Sequence, residues 1–188
     1  MPLETEIKLR VESHEPVRER LRSLDAEFSG RVLETNILFD DARGRLARHG
    51  CGLRVRAVSV EEGEVRPDTL TFKGPRMRGA VKRREELELH VDSGETAARV
   101  LEALGYAVIL RYQKRRESWT LGGCRIELDE PPHHGLFVEI EGPDEGVIGA
   151  VRRRIGLESA QVEDETYVSM LMGWCKRNGI VDRVVNLP

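Results

Sequence analysis

The sequence predicts an α+β protein: an eight-stranded, mostly antiparallel β-barrel (tunnel) with a charged interior and helices packed outside. Charged residues occupy every second position of segments that otherwise resemble strands, beginning with Glu4-Thr5-Glu6-Ile7-Lys8. Alternate side chains of a strand point to opposite faces of its sheet, so one face is apolar and the other is charged. Amphipathic helices between these segments offer apolar stripes that can cover the outer face. Closing such a sheet on itself produces a charged cavity.

The composition favours one soluble, cytoplasmic domain. With 188 residues the chain is long enough to bury a substantial core, and we expect a single domain at 1–179 with a peripheral tail at 180–188. Charged residues make up 34% of the chain but the net charge is only −3, which argues against a nucleic-acid partner. Three scattered cysteines, no signal-like N-terminus and no long apolar run argue against secretion and against a membrane partner.

The first half of the chain is predicted to contain most of the strands. A strand at about 3–12 precedes a helix at about 15–28, for which Gly30 is the expected stop. The apolar stripe of that helix consists of Val17, Leu21, Leu24 and Phe28. Further strands are expected near 31–40, 52–60, 68–74 and 80–91, with a short helical turn at 43–49.

The second half alternates helices with strands. A helix from Ser93 to Gly105 is expected to bury Ala97, Val100, Leu101 and Leu104. Strands near 107–121 and 124–130 are joined at Gly122-Gly123, which is typical of a hairpin. One more strand ends at Glu141, and helices at about 143–155 and 166–178 complete the domain.

Sorting strand residues by parity defines the charged face. Its members are Glu4, Glu6, Lys8, Arg10, Arg54, Arg56, Lys73, Lys82, Arg84, Glu86, Glu88, Lys114, Arg116, Arg125, Glu127, Asp129, Glu139 and Glu141. In the sixth strand the parity stays open, because Arg115 is also charged and a β-bulge would exchange the two faces.

Two interpretations of this face compete. One face of an antiparallel sheet is often simply solvated. However, like charges stand two residues apart on the same face, as Glu4 and Glu6, Arg54 and Arg56, or Glu139 and Glu141 do. Like-charged neighbours repel, so segregated acids and bases favour a cavity in which each cluster meets an opposite charge from outside. We expect such a cavity to be hydrated and soft without its ligand.

The residue types indicate the ligand. Clustered carboxylates without histidine or cysteine are hard oxygen ligands that suit Mg²⁺, Mn²⁺ or Ca²⁺ and argue against zinc. Clustered Arg and Lys suit phosphate or carboxylate groups. Together the two clusters favour a metal–polyphosphate complex.

Other sequence features carry less chemistry. GxxxxGK[ST], GxSxG and HExxH motifs are absent from the chain. We interpret His133-His134 as part of a Pro-containing turn. Lys82-Arg83-Arg84 and Lys114-Arg115-Arg116 could be nucleic-acid patches, but strand parity splits each run between two faces.

Motifs along nearly the whole chain resemble those of the CYTH superfamily, also called triphosphate tunnel metalloenzymes. Glu4-x-Glu6-x-Lys8 resembles its ExExK signature. Leu70-Thr71-Phe72-Lys73-Gly74-Pro75 resembles an element of the members named class IV adenylyl cyclases. Further matching segments are Asn36–Asp40, Arg45-Leu46, Leu53–Arg56, Arg84–Glu88, Lys114–Arg116, Ile126–Asp129, Gly135–Glu141 and Thr166-Tyr167.

The resemblance implies roles for the charged face. Glu4, Glu6 and Lys8 become the candidate catalytic residues. Metal ligands would be Glu4, Glu6, Asp129, Glu139 and Glu141, with Glu86 and Glu88 serving a second metal or its water shell. Phosphate would bind to Lys8, Arg54, Arg56, Lys73, Arg84, Lys114 and Arg116. The expected cofactor is Mg²⁺ or Mn²⁺, and the partner is a small-molecule triphosphate.

The resemblance leaves several activities open. Hydrolysis of inorganic tripolyphosphate or of a nucleoside or thiamine triphosphate is our first expectation, in the manner of the thiamine triphosphatase-like members. A class IV-type adenylyl cyclase, converting ATP to cyclic AMP and pyrophosphate, is the alternative. A non-catalytic polyphosphate- or nucleotide-binding module is a third possibility. Such a module is expected to lack the metal-binding carboxylates, whereas this chain has them. The oligomeric state also stays open, a dimer being one option.

Overall fold

A computed structural model describes residues 3–77 and 82–187. The strands are β1 Leu3–Val11, β2 Glu27–Asp41, β3 Gly52–Gly63, β4 Asp68–Lys73, β5 Lys82–Val91, β6 Tyr106–Leu121, β7 Cys124–Glu130, β8 Leu136–Glu141 and β9 Val184–Val185. The helices are α1 Glu15–Ser23, α2 Arg45–Arg48, α3 Gly94–Ala103, α4 Glu145–Arg154 and α5 Tyr167–Asn178.

Eight strands close into an antiparallel barrel, as the sequence predicted. The order around the barrel is β2-β3-β4-β5-β1-β8-β7-β6, and β6 pairs with β2 to complete the ring. The seam between β2 and β6 is long, extending from the pair Glu27 and Thr120 to the pair Asp41 and Tyr106. The short β9 adds to β6 in parallel, so part of the predicted C-terminal tail pairs with the barrel and buries Val185.

Glycine allows two strands to approach closely at one bulge. Gly30 has a φ of 124° and pairs with Gly63, which has a φ of 102°. A Cβ on Gly30 would lie 2.5 Å from the carbonyl oxygen of Glu62. The sequence prediction for Gly30 was therefore wrong: it is a bulge residue inside β2, where a side chain would clash, and not the stop of a helix.

The first helix is shorter than its apolar periodicity predicted. It ends at Ser23, and β2 has already begun at Glu27. Phe28 is thus a strand residue, and its ring packs edge-on against Trp119 at a centroid distance of 5.0 Å. Aromatic side chains suit both helix stripes and strand faces, which explains the wrong assignment.

Helices cover the barrel on part of its outer face. Helices α1 and α4 pack with β1, β7 and β8 around Leu9, Ile126 and Ile140. Helix α3 packs over β3 and buries Ala98 and Leu101. Two residues predicted in its buried stripe, Val100 and Leu104, are exposed instead, because the face that packs on the sheet runs through Gly94, Ala98 and Leu101.

A buried ion cluster ties α1 to the outer face of β6. Glu117 is 3% exposed and accepts hydrogen bonds from Arg18, Arg31 and the Trp119 indole. Burial by itself would raise the pKa of Glu117, but the bonds from Arg31 and Trp119 lower it below its usual value. The carboxylate therefore stays ionised and holds both arginines.

The outer face of β5 lacks a helix. Leu87 and Leu89 are 46% and 55% exposed, so the apolar outer face of this strand lies open to solvent. Val81, placed on the same face by parity, lies outside the described residues. Within residues 3–77 and 82–187, each helix is too short or too polar to cross a bilayer.

Candidate active site

The barrel encloses a cavity of about 580 Å³. Every predicted site residue except Asp129 contributes to its lining: Glu4, Glu6, Lys8, Arg54, Arg56, Lys73, Arg84, Glu86, Glu88, Lys114, Arg116, Glu139 and Glu141. The charged faces of the strands therefore converge on one cavity inside the barrel.

Strand β1 shows how alternation places its side chains. Glu4, Glu6 and Lys8 point inward, while Ile7 and Leu9 between and beyond them are buried in the outer core. Across the neighbouring strands, Glu4 pairs with Arg84, Glu6 with Lys82 and Glu141, and Lys8 with Glu139. Cross-strand partners share a face of the sheet, so acids and bases are brought together laterally.

A lysine on β4 bridges two carboxylates at one side of the cavity. The Lys73 ammonium lies 2.9 Å from Glu4 Oε2 and 2.6 Å from Glu86 Oε2. The Arg84 guanidinium lies 4.0 Å from the same Glu4 oxygen. The three charged strands β1, β4 and β5 thus neutralise one another locally.

A second, deeper cluster is centred on Arg116. Its guanidinium lies 2.6 Å from both Asp129 Oδ2 and Glu139 Oε2. Lys114 lies 2.9 Å from the same Asp129 oxygen. Arg115 points outward toward Glu61 and Glu130, so the parity proposed for the sixth strand is confirmed.

Asp129 stands behind the cavity wall. It is fully buried, and its two oxygens accept hydrogen bonds from Lys114, Arg116 and the Tyr167 hydroxyl. Burial would raise the pKa of this carboxyl, but Arg116 and Lys114 overcome that effect and hold it far below the usual value. In this arrangement Asp129 orients two phosphate-binding candidates, and its predicted role as a metal ligand stays a prediction.

Glu34 completes the deep cluster from β2. Its carboxylate lies 3.0 Å from Arg56, 3.4 Å from Lys114 and 3.8 Å from Arg116. Burial opposes ionisation, yet the three cations lower the pKa of Glu34 far below its usual value. The cations of the deep cluster are therefore paired with carboxylates of the protein itself.

This mixing of charges corrects one sequence-based expectation. The acids and bases were expected to form separate clusters that wait for external partners. Along each strand like charges do stand together, but neighbouring strands interleave them, as Lys73 does between Glu4 and Glu86. A ligand entering here exchanges existing ion pairs for new ones.

Lys8 links β1 to the segment before α5. Its ammonium donates to the carbonyl of Glu165 and lies 4.1 Å from the ring centroid of Tyr167. Burial, reinforced by the neighbouring Lys82, lowers the pKa of Lys8 to about 8. The Lys114 ammonium lies 4.9 Å from the same ring centroid, so Tyr167 at the start of α5 packs between two inward lysines.

Arg54 has a buried hydrogen-bond donor that is not used within the described part of the protein. It donates one hydrogen bond to Thr71 and lies 3.8 Å from Glu88. Its buried Nε has no hydrogen-bond partner among the described residues. An unsatisfied, buried guanidinium nitrogen is costly unless an acceptor such as a phosphate oxygen reaches it.

The carboxylates suit a divalent cation. Glu6 and Glu141 are neighbours across β1 and β8, and Glu139 stands beside Glu127 across β8 and β7. Burial, followed by repulsion from Glu6 and Asp129, raises the pKa of Glu139. A cation would relieve that crowding, and a set of carboxylate oxygens fits Mg²⁺ or Mn²⁺. Among the described residues these side chains are not yet gathered into a preformed metal site.

Sequence reasoning missed several lining residues. Lys82, Arg125 and Glu127 were placed on the charged face by parity but were given no role, although all three line the cavity. The positions two residues before and after Glu34 in β2 hold the uncharged Val32 and Asn36, so no alternation of charge marked it. Arg66 reaches the cavity from the β3–β4 loop, where its guanidinium donates to Ser118, and parity does not apply there.

The predicted turn at His133 lies away from the cavity. The His133 ring stacks on Trp174 of α5 at a centroid distance of 4.0 Å. His134 uses its Nδ1 locally with the carbonyl of Pro132. Both contacts agree with the interpretation of this pair as part of a structured loop.

Comparison with known proteins agrees with this architecture. A protein of Methanocaldococcus jannaschii, provisionally named as an adenylate cyclase, is 27% identical over 139 residues, which cover 74% of this chain and 76% of that protein. A protein of known structure from Pyrococcus horikoshii superimposes with a TM-score of 0.76 at 26% identity and covers 91% of this chain and 99% of its own.

A more distant structure shares the fold. It comes from Hippeastrum, has a TM-score of 0.67 at 19% identity, and covers 94% of this chain and 96% of that one. The Hippeastrum protein is described as an adenylyl cyclase candidate with a dominant triphosphatase activity.

A closed antiparallel barrel with inward-facing acids and bases defines a tunnel-type protein with a charged interior. The CYTH domain profile matches residues 2–147. The chain therefore belongs to the CYTH family, whose members act on triphosphates with divalent cations.

Proposed function

We propose that this protein is a divalent-metal-dependent triphosphatase that cleaves a phosphoanhydride bond inside the barrel. One observation carries the proposal: lysines, arginines and carboxylates from neighbouring strands share one enclosed cavity of about 580 Å³. The cations match a polyanion, and the carboxylates match the metal that would accompany it.

The residues divide into two groups of roles. Glu4, Glu6, Glu139 and Glu141 would hold Mg²⁺ or Mn²⁺, with Glu86 and Glu88 available to a second ion or its waters. When bound, the metal would neutralise phosphate charge and activate a water. Phosphate oxygens would be held by Lys8, Arg54, Arg56, Lys73, Arg84, Lys114 and Arg116.

The protein's own contribution is orientation and charge. Lys73 would release Glu4 and Glu86 to bind phosphate, which frees those carboxylates at the same moment. Arg116, held by Asp129, needs little rearrangement to offset charge that develops in the transition state. Nothing in this scheme requires a side-chain base.

Adenylyl cyclase activity is the second candidate. The provisional name of the Methanocaldococcus jannaschii relative supports it, whereas the activity ascribed to the Hippeastrum protein supports triphosphate hydrolysis within the same fold. In a cyclase, the 3′-hydroxyl of ATP attacks the α-phosphorus and pyrophosphate leaves. The same ring of cations could serve either reaction.

A substrate panel separates the candidates. Tripolyphosphate, ATP, GTP and thiamine triphosphate are incubated with Mg²⁺ or Mn²⁺, and phosphate, pyrophosphate and cyclic nucleotide are measured separately. We expect orthophosphate from at least one triphosphate. Formation of cyclic AMP with stoichiometric pyrophosphate from ATP would show that the protein is a cyclase and not a triphosphatase. Absence of every product would favour a non-catalytic binding module.

The site assignment is tested by Glu4→Gln and Glu6→Gln. Each variant should lose metal-dependent turnover while keeping its circular dichroism spectrum. Glu12→Gln, at an exposed residue just beyond β1, is the matched control and should keep full activity. Retained turnover in both inward variants would contradict the assignment.

A further inference from the structure

Two hydrogen-bond donors deep in the barrel lack an acceptor. The Asn36 side chain is fully buried, and its amide oxygen accepts a hydrogen bond from Arg56 at 3.0 Å. Because a guanidinium can only donate, this contact fixes the orientation of the amide and turns its nitrogen away from Arg56. That nitrogen and the Nε of Arg54 have no hydrogen-bond partner among the described residues. Unpaired buried donors cost free energy, so this region has room for an acceptor supplied by a ligand.

Tyr112 is a third donor in the same region. It lies directly opposite Asn36 across β2 and β6, and it lines the cavity. Its ring belongs to the apolar cluster that α5 forms with β2 and β6. Within the part of the chain that the structure describes, its hydroxyl is influenced by burial and by nearby charges but makes no hydrogen bond. Packing thus holds the ring in place and leaves the hydroxyl able to donate.

The other two tyrosines of the chain differ from Tyr112. Tyr167 also lines the cavity, but its hydroxyl donates to Asp129 at 2.9 Å. Tyr106 packs against the outer apolar cluster beneath α3 and does not contribute to the cavity. Tyr112 therefore combines a position in the cavity with a hydroxyl that the described residues do not occupy.

The Tyr112 hydroxyl keeps its proton. Burial raises the pKa of Tyr112 to about 12, although the neighbouring Arg54 and Arg56 oppose this effect. Near neutral pH the group is therefore an uncharged hydrogen-bond donor and takes no part in proton transfer. The two arginines attract a polyanion to this place, where the hydroxyl can add a directed hydrogen bond to one of its oxygens.

We propose that Tyr112 is a further catalytic residue, which donates a hydrogen bond to the bridging oxygen that leaves when the phosphoanhydride bond is cleaved. This inference rests on the proposed triphosphatase function. In that reaction water attacks the terminal phosphorus, and the bond from this phosphorus to the bridging oxygen breaks. The bridging oxygen keeps the electron pair as part of the leaving diphosphate. One proton of the water passes to solvent, and Tyr112 keeps its own.

The hydroxyl acts mainly on the rate of cleavage. The lysines and arginines of the cavity already hold the substrate phosphates, so one neutral donor adds little to binding in the ground state. Negative charge grows on the leaving oxygen during cleavage. A hydroxyl that packing holds in place stabilises this charge without having to reorient, and that contribution appears in kcat.

Three tyrosine-to-phenylalanine variants test the assignment. Tyr112→Phe removes the unpaired hydroxyl, Tyr167→Phe removes the one bonded to Asp129, and Tyr106→Phe is the matched control outside the cavity. Values of kcat and KM are measured with Mg²⁺ for tripolyphosphate, or for whichever triphosphate the wild-type protein hydrolyses fastest. Calorimetry with methylene-bridged tripolyphosphate measures affinity, and urea unfolding measures stability.

We expect Tyr112→Phe to lower kcat by about 10- to 100-fold, the effect of losing one hydrogen bond to a charged group. This loss should be the same across the pH range in which the wild type is active, because Tyr112 does not titrate there. KM and the affinity for the methylene analogue should change by less than about threefold, since the analogue has carbon in place of the bridging oxygen. The free energy of unfolding should not fall, because no hydrogen bond within the protein is lost. Tyr106→Phe should leave kcat, KM and affinity unchanged.

Three outcomes would overturn the inference. An unchanged kcat in Tyr112→Phe would show that the hydroxyl does not act in cleavage. A loss of stability as large as that of Tyr167→Phe would show that it is bonded within the protein. A loss of kcat on one side of the pH profile only would make Tyr112 a proton donor or acceptor instead. If the wild-type protein releases phosphate from none of the triphosphates, the proposed function itself fails, whereas wild-type turnover with an unaffected Tyr112→Phe refutes the role of Tyr112 alone.

Discussion

Replacing Glu34 by glutamine should lower the stability of the protein measured without ligand and raise its affinity for a polyanion. Glu34 is 2% exposed and lies within 4 Å of Arg56, Lys114 and Arg116. Glutamine preserves the shape of the side chain but removes the charge. In the ligand-free barrel the substitution therefore leaves three cations with less compensation.

The size of the effect follows from what each cation retains. Lys114 and Arg116 keep Asp129, whereas Arg56 keeps only the Asn36 amide oxygen, 3.0 Å away, among its described partners. Removing one member of a buried ion pair costs about 3–5 kcal/mol. Because one cation of the three loses its carboxylate, we expect the lower end, about 3 kcal/mol of unfolding free energy.

A phosphate group bound at these cations would restore the missing charge. Glu34→Gln should then bind tripolyphosphate at least tenfold more tightly than wild type, which corresponds to about 1.4 kcal/mol. Urea unfolding measures the stability, and calorimetric titration in metal-free buffer measures the affinity. Working without metal separates the contribution of the cations from that of the carboxylates.

Glu117→Gln is the matched control. It also removes a buried carboxylate held by two arginines, Arg18 and Arg31, but Glu117 lies on the outer face of β6, away from the cavity. It should lower stability without changing tripolyphosphate affinity. Unchanged or weaker binding by Glu34→Gln would refute the idea that phosphate replaces Glu34 among these cations.

Three further predictions concern stability. Because the pKa of Glu117 is lowered on folding, its carboxylate stabilises the fold above about pH 4.3 and loses this effect as the pH falls. At pH 7 the wild-type protein should be more stable than Glu117→Gln by about 1.5–3 kcal/mol. In urea titrations this difference in unfolding free energy should become smaller below about pH 4.3. Tyr167→Phe removes the hydrogen bond to Asp129 and should cost about 1 kcal/mol, seen as a lower melting temperature. Gly30→Ala should be far more destabilising in the same assay than Gly123→Ala, which also has positive φ but open space around its Cβ; equal losses would contradict the steric argument.

Strand periodicity explains why so much of the site could be predicted from the sequence. A period of two fixes which side chains share a face, and a barrel has only one inside. Lys114 and Arg116 were therefore placed together in the cavity, while Arg115 between them pairs with Glu61 outside. Strand parity alone, without any distance, assigns these side chains to the inside or the outside of the barrel.

Periodicity gives no information where side chains leave the strand pattern. Arg66 arrives from a loop, and Ile109 turns inward at a bulge that has no clear mark in the sequence. Asp129 has inward parity, yet Lys114, Arg116 and Tyr167 enclose it completely. Which charge meets the ligand and which orients another residue depends on side-chain packing that strand parity cannot specify.

The order of strands around the barrel has a consequence for folding. β1 separates β5 from β8, and β2 is joined to β6 along the longest seam. The pairings of β1 with β5 and β8, and of β2 with β6, join segments that are far apart in the chain. Proteins dominated by such non-local pairings fold slowly, in about milliseconds to seconds. Until β6 and β8 arrive, the edges of β1 and β2 are exposed templates for association with other chains. Refolding yield should therefore fall steeply with protein concentration.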